Sequence, residues 1–370
     1  MNNNKFSIEL ERLSTHIGDL QASTALYQYI YWLNQQFENI DSVYIRDYLP
    51  IIEASIQHAP DKKPFLSIIT RTQGNRPEMI RETLNSLETQ TDADFELIIV
   101  CHKVPDSKYQ EILDLISEYP NSFSKRIRCL CLSHGNRTTP LNFGFAHAYG
   151  KYISVLDDDD IVFENYVSCF HEAATHFDGT LLHSYVLDQD WEVIRAEDGT
   201  KKLSPLNEPG MKYCVDFDML TQLETNYCPL MGIAFPSIYF QKYGMIFDES
   251  LSTQEDWDYI MRLSPIIGVS DIREATAVYR KWKREQTSYT THTSDEWAEN
   301  YLNIQNKYLN MPILISAGHQ KVRIVEQQIV PPTPSLRILL KNKIRRMIPQ
   351  PLWNCLKKLY RILGGKKWLG

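Results

Sequence analysis

Short apolar runs that alternate with amphipathic segments between residues 65 and 156 constrain the fold of this chain most strongly. Four such runs predict strands, at 65–70, 95–101, 126–132 and 152–156, and the segments between them predict helices, at 77–89, 107–119 and 139–149. Short strands separated by helices are typical of a parallel sheet that is covered by helices on both faces. We therefore expect an α/β fold with a mostly parallel, Rossmann-like sheet.

The pattern changes after residue 180, where strands and helices no longer alternate regularly. We predict strands at 181–187 and 192–195 with a tight turn at 197–200, helices at 237–244, 254–264 and 294–308, and an extended segment at 269–280. A parallel half followed by a mixed half indicates a nucleotide-binding half, at 62–160, and then an acceptor half, at 161–310. A helical N-terminal extension at 1–61 and a tail at 331–370 flank this domain of residues 62–310.

Composition excludes several classes of protein. The chain has 370 residues, of which 43% are hydrophobic and 23% are charged, so disordered, collagen-like and disulfide-scaffold proteins are excluded. The sequence has no run of 18 apolar residues that would predict a membrane-spanning helix. The start, MNNNKFSIELERL, lacks the apolar segment of a secretory signal. Seven scattered cysteines favour a reduced, cytoplasmic chain.

The net charge of −7 hides two parts of opposite charge. Residues 331–370 hold ten of the 39 basic residues and no acidic one, so the other 29 basic residues and all 46 acidic residues lie in the first 330. The acidic body is a poor candidate for nucleic-acid binding, whereas the basic tail indicates an anionic partner.

The end of the tail predicts an amphipathic helix. Leu352, Leu356, Leu359 and Leu363 share one face, and lysine and arginine lie on the opposite face. This pattern is typical of a helix that lies on an anionic membrane, so we expect residues 335–370 to hold the protein peripherally on the inner face of the cell membrane. The alternative is a helix that packs on the body with its lysines against the acidic surface.

A run of four aspartates, Asp157-Asp158-Asp159-Asp160, directly follows the predicted strand at 152–156. In open α/β sheets, ligands bind beyond the carboxyl ends of the strands. Carboxylates at that place suit a hard divalent cation, Mn²⁺ or Mg²⁺, held by one or two aspartates together with substrate phosphates. The alternative is an acidic loop that is simply solvated.

Further blocks of sequence accompany the aspartates. They are SIITRT at 67–72 with NRP at 75–77, NFGFAHAYGKYI at 142–153, and FDESL at 247–251 with QEDWDY at 254–259. In this order and spacing the blocks resemble the family 2 inverting glycosyltransferases of the GT-A fold, over residues 62–285. The resemblance implies a GT-A fold and the transfer of a sugar from a nucleotide-diphosphate donor to an acceptor hydroxyl.

The resemblance also implies roles for the acidic residues. Asp157 and Asp158 would lie on the donor side, and Asp159, together with Asp157, would hold the metal. Asp256 would be the catalytic base, with Glu255 beside it orienting the sugar or the acceptor. For these last two residues the alternative is a pair of acids favoured by the N-terminal dipole of a helix. Asp160 could instead cap a following helix.

Donor-binding residues follow from the same resemblance. Thr70, Arg71 and Thr72 would contact the base and ribose, Arg76 and Arg137 the phosphates, and Arg280 the diphosphate. The alternative for Arg76 and Arg137 is a pair of solvated surface charges.

The chain departs from the family at two places. Cys101-His102 stands where the family commonly has acidic residues that bind the nucleobase, and Trp282 stands where many members have a metal-binding histidine, for which His292 is a candidate substitute. We expect Cys129 and Cys131 to lie in the core. Tyr227, Trp191 and Trp257 would form an acceptor platform, unless they are core residues.

Together these features predict a metal-dependent inverting glycosyltransferase that builds a surface polysaccharide or glycolipid. Its partners would be a nucleotide-sugar, a glycan or lipid-linked glycan acceptor and an anionic membrane. One alternative is a sugar nucleotidyltransferase, although such enzymes usually have a glycine-rich loop after the first strand and residues 72–76 contain one glycine. The other is a catalytically degenerate domain that tethers partners at a membrane.

Overall fold

The computed structural model describes residues 43–195, 201–283 and 292–308. The helices are α1 Leu49–Gln57, α2 Pro77–Glu88, α3 Asp106–Ser117, α4 Asn121–Ser124, α5 Thr139–His147, α6 Tyr166–His176, α7 Met219–Glu224, α8 Ser237–Gln241, α9 Glu255–Ile267 and α10 Ser294–Tyr308. The strands are β1 Leu66–Thr72, β2 Phe95–His102, β3 Ile127–Leu132, β4 Tyr152–Val155, β5 Ile161–Val162, β6 Leu181–Arg195, β7 Lys201–Pro205, β8 Gly210–Tyr213, β9 Ile233–Pro236 and β10 Val269–Trp282.

The ten strands form a single sheet whose path runs β3-β2-β1-β4-β9-β6-β10-β5, with β7 and β8 both paired to β6. Strands β1 to β4 are parallel, and Leu66 of β1 is in register with Phe95 of β2 and Tyr152 of β4. Strand β9 runs antiparallel between β4 and β6. The chain therefore builds outward from β1 to β3 and returns across β1 to β4, so the strand order reverses between β1 and β4, where this class of fold binds ligands.

Helices cover both faces of the parallel strands, because successive side chains of a strand point to opposite faces. On one face Ile69 and Ile98 pack with α1, α5, α8 and α9, and on the other Ile68 and Leu97 pack with α2, α3 and α6. Burying each such side chain stabilises the fold by about 1.5–3 kcal/mol. Helix α5 lies so close to β1 that a Cβ at Gly144 would be 2.4 Å from the Ile69 side chain, so this position requires glycine.

The predicted α/β fold is confirmed, and all seven strands and helices predicted between residues 65 and 156 are present within a few residues of their predicted bounds. Three predictions in the second half differ. The two strands at 181–187 and 192–195 are the single strand β6, the helix at 237–244 ends at Gln241, and α6 was not predicted. The expectation that Cys129 and Cys131 lie in the core is wrong, because β3 is an edge strand and leaves Cys129 half-buried and Cys131 exposed.

Several predictions fall on residues that the structure does not describe. These are most of the N-terminal extension, the turn at 197–200 and the basic tail. The described part of the extension is helical, with a π-helical turn at Tyr44–Tyr48 leading into α1. In the described ranges, every helix is too short or too polar to cross a membrane.

Candidate active site

The four aspartates lie in a tight turn directly after β4, closed by the Asp160 N–H, which donates to the Asp157 carbonyl at 3.2 Å. Their exposure alternates along the turn. Asp158 and Asp160 are 2% exposed, whereas the side chains of Asp157 and Asp159 are 38% and 15% exposed. The turn therefore leaves two carboxylates accessible in the crevice between β1 and β4 and buries the other two.

The two buried aspartates hold the turn in place. The Asp158 carboxylate accepts hydrogen bonds from Thr72 Oγ1, at 2.5 Å, and from Arg76, and the Asp160 carboxylate accepts the main-chain N–H of Arg280 at 2.7 Å. Burial raises the pKa of both, that of Asp158 to about 6. The prediction that Asp160 caps a helix is wrong, because the chain continues into β5 and the carboxylate serves β10 instead.

Arg71, at the end of β1, joins the aspartate turn to the start of α9. Its Nε lies 3.0 Å from Asp157 Oδ1, and its Nη1 donates at 2.9 Å both to Glu255 Oε1 and to the Arg137 carbonyl. Arg137 Nε in turn lies 3.1 Å from Glu255 Oε1. These four predicted site residues, separated by up to 184 positions in the chain, thus form one ion-pair network.

The network keeps its carboxylates ionised. Burial disfavours the charged form of Glu255, but Arg137 and Arg71 outweigh burial and hold the pKa of Glu255 below its usual range. The pKa of Asp157 is lowered in the same way, because Arg71 outweighs burial there. Glu255 is 2% exposed and bridges two guanidinium groups, so its position suits a residue that orients the site.

Asp256 lies in a different environment from its neighbour Glu255. Burial, followed by the nearby charge of Glu255, raises the pKa of Asp256 to about 6. Asn226 Nδ2 donates to one carboxylate oxygen at 3.0 Å, and the Trp257 main-chain N–H donates to the other at 2.8 Å. A fixed carboxylate with a pKa near the working pH has the properties of a general base.

The start of α9 is held by α7 and α10. Trp257 Nε1 donates to the Gln222 carbonyl at 2.6 Å, and the Trp257 ring stacks on Tyr301 with centroids 5.4 Å apart. Asn300 Nδ2 donates to Ser252 Oγ at 3.0 Å and to Thr253 Oγ1 at 2.8 Å, just before the helix. These contacts fix the segment that carries Glu255 and Asp256.

The proposed aromatic acceptor platform is wrong, because its three members do not come together. Trp257 is 1% exposed and belongs to the core between α9 and α10. Tyr227 stacks on Phe217, with centroids 6.3 Å apart, whereas Trp191 packs on Trp282 at 5.8 Å.

The remaining predicted arginines are paired with acidic groups. Arg76 binds the Asp158 and Asp159 carboxylates, and burial raises the pKa of Asp159 although Arg76 opposes this effect. Arg280 is 2% exposed and donates to the Asp159 carbonyl at 2.5 Å. With Arg137 bound to Glu255 as well, the alternative that Arg76 and Arg137 are solvated surface charges is excluded.

The strand ends beside this network carry the other predicted donor-binding residues. Thr70 and Thr72 are both 3% exposed, and Thr72 Oγ1 also accepts the Gly74 N–H at 3.0 Å. His102, at the end of β2, is buried with its Nε2 2.9 Å from the His134 carbonyl, and burial lowers its pKa. A neutral imidazole therefore stands where the family commonly has a nucleobase-binding acid.

The accessible carboxylates fit a hard divalent cation. Asp157 and Asp159 are two oxygen-donor groups on one turn, and Mg²⁺ or Mn²⁺ is typically held by one or two carboxylates plus substrate phosphates. In the described ranges, no three acidic, histidine or cysteine side chains form a metal-holding group, and His292 pairs with Glu296 at 3.7 Å. Any further ligands would thus come from the substrate and water.

Sequence reasoning missed two residues that support the site. Asn226, which binds the Asp256 carboxylate, comes from the segment after α7, and Glu82 of α2 pairs with Arg280. Neither residue lies in a recognisable motif. Asn226 is 30 positions from Asp256 and Glu82 is 198 positions from Arg280, so only the tertiary structure reveals these pairs.

Comparisons with known proteins agree with this geometry. Residues 67–179 match the family described as Glycosyl transferase family 2. An uncharacterized glycosyltransferase of Rickettsia felis is 26% identical over 215 residues, which are 55% of this chain and 32% of that protein. One of Rickettsia prowazekii is 27% identical over 248 residues, which are 66% of this chain and 72% of that protein. The chain thus matches about a third of the first relative's length.

A solved structure shares the fold. S. aureus TarS (residues 1–349), in complex with UDP-GlcNAc, superposes with a TM-score of 0.52 and 16% sequence identity, and the match covers 69% of each chain. The predicted GT-A fold is thereby confirmed. The expectation that the chain is a glycosyltransferase is confirmed at the level of family and fold, and residues 67–179 belong to glycosyl transferase family 2.

Proposed function

We propose that the protein transfers a sugar from a nucleotide-diphosphate donor to an acceptor hydroxyl, with inversion at the anomeric carbon and with Mn²⁺ or Mg²⁺ as cofactor. The observation that carries the proposal is the Arg71 guanidinium, which contacts both Asp157 and Glu255 at 2.9–3.0 Å. It joins the donor-side turn after β4 to the acidic pair on α9, so both halves of the reaction would share one crevice.

The donor side has the charges that a nucleotide diphosphate requires. Arg71, Arg76 and Arg137 provide guanidinium groups that match phosphate oxygens. Asp157 and Asp159 would hold the cation, which when bound would neutralise charge on the leaving diphosphate as a Lewis acid. A protein of the same fold, TarS, was solved with UDP-GlcNAc, which supports a nucleotide-sugar as the donor.

Asp256 supplies the base that the acceptor hydroxyl needs. With its pKa near 6, the carboxylate is largely ionised at neutral pH and still basic enough to take a proton as the hydroxyl attacks. Asn226 and the start of α9 hold the carboxylate in a fixed orientation. Inversion follows if the hydroxyl, activated by Asp256, attacks the anomeric carbon directly from the face opposite the leaving group.

The acceptor class rests on the sequence of the tail. Ten basic residues without an acid at 331–370, with a leucine face, suit an anionic membrane surface. An enzyme held at the inner face of the cell membrane would meet lipid-linked glycans, so we propose a polysaccharide or glycolipid acceptor.

A donor screen tests the proposal. Nucleotide-sugars are titrated calorimetrically into the wild type, Asp159→Ala and Asp256→Asn, with and without Mn²⁺. We expect one donor to bind in a metal-dependent way, binding to be lost in Asp159→Ala, and binding without transfer in Asp256→Asn. If none of the nucleotide-sugars binds under any metal condition, the proposal is wrong and a non-catalytic tethering domain is the better explanation.

A further inference from the structure

Two buried nitrogen donors on β10 find no acceptor among the described residues. They are Arg280 Nη2 and Trp282 Nε1, on side chains that belong to residues only 2% and 7% exposed. A buried donor without an acceptor costs free energy, and folded proteins contain few of them. Residues 280 and 282 lie on the same face of the strand, so the two donors are neighbours.

The rest of the Arg280 side chain is fixed, so rotation cannot satisfy Nη2 elsewhere. Its Nε donates to the Asp159 carbonyl at 2.5 Å, and its Nη1 pairs with Glu82. The main-chain N–H of the same residue is bound to Asp160 at 2.7 Å. The guanidinium is therefore held directly beside the aspartate turn.

Two tryptophans enclose the guanidinium. Its central carbon lies 5.0 Å from the ring centroid of Trp191 and 5.0 Å from that of Trp282, and these residues are register partners on β6 and β10. The indole N–H of Trp191 already donates to Gln189 Oε1 at 2.9 Å. The indole N–H of Trp282 is the one left for a ligand. Aromatic walls exclude water, which strengthens any hydrogen bond formed between them.

We propose that Trp282 Nε1 and Arg280 Nη2 together bind an anionic phosphate group of the donor diphosphate. A guanidinium and a neutral N–H donor suit phosphate oxygens, which carry charge and accept several hydrogen bonds. The lysines that flank this strand face are not available, because Lys281 pairs with Asp188 and Lys283 with Asp190. The inference rests on the proposed function and adds Trp282 as a specificity-determining residue.

Removing one N–H tests the proposal, with a matched control in the same pair of rings. Trp282→Phe keeps an aromatic ring and removes the free donor, whereas Trp191→Phe removes an indole N–H that already has an acceptor. The probes are inorganic pyrophosphate and the nucleotide-sugar found in the donor screen, titrated calorimetrically in the presence of Mn²⁺. We expect Trp282→Phe to weaken the affinity for both probes about tenfold, and Trp191→Phe to leave it within about twofold.

A second measurement does not depend on how well a variant folds. Indole N–H resonances of the ¹⁵N-labelled wild type are recorded with and without pyrophosphate. The Trp282 resonance should move and the Trp191 resonance should stay. If the wild type binds a nucleotide-sugar but Trp282→Phe binds it as well as Trp191→Phe does, or if the Trp282 resonance does not move, this inference is overturned and the proposed function stands. If the wild type binds no nucleotide-sugar, the proposed function itself fails.

Discussion

At the scale of single residues, the site separates neighbouring carboxylates by their surroundings. Glu255 lies between two guanidinium groups and has a lowered pKa, whereas Asp256 lacks such a partner and has a pKa of about 6. Environments that push two adjacent carboxyl pKa values apart give the two groups different roles. Glu255 is suited to hold charge and Asp256 to exchange a proton.

The pH dependence of transfer should follow Asp256. The carboxyl is protonated below pH 6 and cannot act as a base, so we expect kcat to rise as the pH increases through about 6. A pH–rate profile measured with saturating donor checks this. Donor affinity measured over the same range separates this effect from titration of Asp158, whose pKa is also about 6.

The Asp256→Asn variant should be inactive but not less stable. A folded-state pKa raised above the unfolded value means that this carboxyl opposes folding once the pH exceeds that value, because ionising it in place costs free energy. We therefore expect the melting temperature of the variant at pH 8 to equal or exceed that of the wild type. A clear drop would show that Asp256 has a structural role instead.

Arg71 should matter for stability as well as for activity. Replacing it with alanine leaves Asp157 without its closest cation and Glu255 with Arg137 alone, and breaking a buried ion pair costs about 3–5 kcal/mol. Urea unfolding measures this loss. The control is Arg81→Ala, which breaks an exposed pair with Glu118 and should leave the unfolding midpoint unchanged.

At the scale of elements, α10 acts as a brace for the start of α9. Asn300 binds Ser252 and Thr253, and Lys307 pairs with Asp258 one turn into the helix. The residue between loop and helix, Gln254, has a left-handed backbone with φ of 62°, a conformation that persists only where the surroundings enforce it. The brace is a reason why this strained residue can precede the acidic pair.

Loss of the brace should lower kcat more than donor affinity. Asn300→Ala removes two hydrogen bonds to the segment before Glu255, so Asp256 should lose its fixed orientation while the β1 and β4 turns are unaffected. Steady-state kinetics with both substrates separates kcat from KM. Gln305→Ala is the matched control on the same helix, because Gln305 binds the Leu223 carbonyl instead. Equal effects of the two variants on kcat would contradict the role of Asn300.

Much of this architecture follows from local sequence, and the site follows from it only in part. The first half was predictable because β1 to β4 are short apolar runs that neighbouring helices separate. Strand β6 was split in the prediction because Asp188 and Asp190 resemble a turn, yet each finds a lysine, Lys281 and Lys283, on the neighbouring strand. The pairing of Arg71 with Glu255 has no local signal at all, since it depends on how distant elements meet.

At the scale of the whole molecule, the basic tail and the acidic body are the largest asymmetry of charge. If the tail binds membrane, the full chain should sediment with phosphatidylglycerol vesicles but not with phosphatidylcholine vesicles, and salt should weaken the binding. Replacing Lys357, Lys358 and Arg361 with glutamate should abolish sedimentation. Replacing the exposed Lys62 and Lys63 of the body should not. Equal sedimentation with both lipids would favour a tail that packs on the body.

The alternation of exposure along the aspartate turn has a consequence for comparing this chain with others. Asp158 and Asp160 fasten the turn, and Asp157 and Asp159 remain accessible, so four identical letters carry two different tasks. Deleting one of them would not simply remove a quarter of the charge, because every later aspartate would move into its neighbour's task. Position within the turn, rather than the number of acidic residues, is what an alignment of such chains has to preserve.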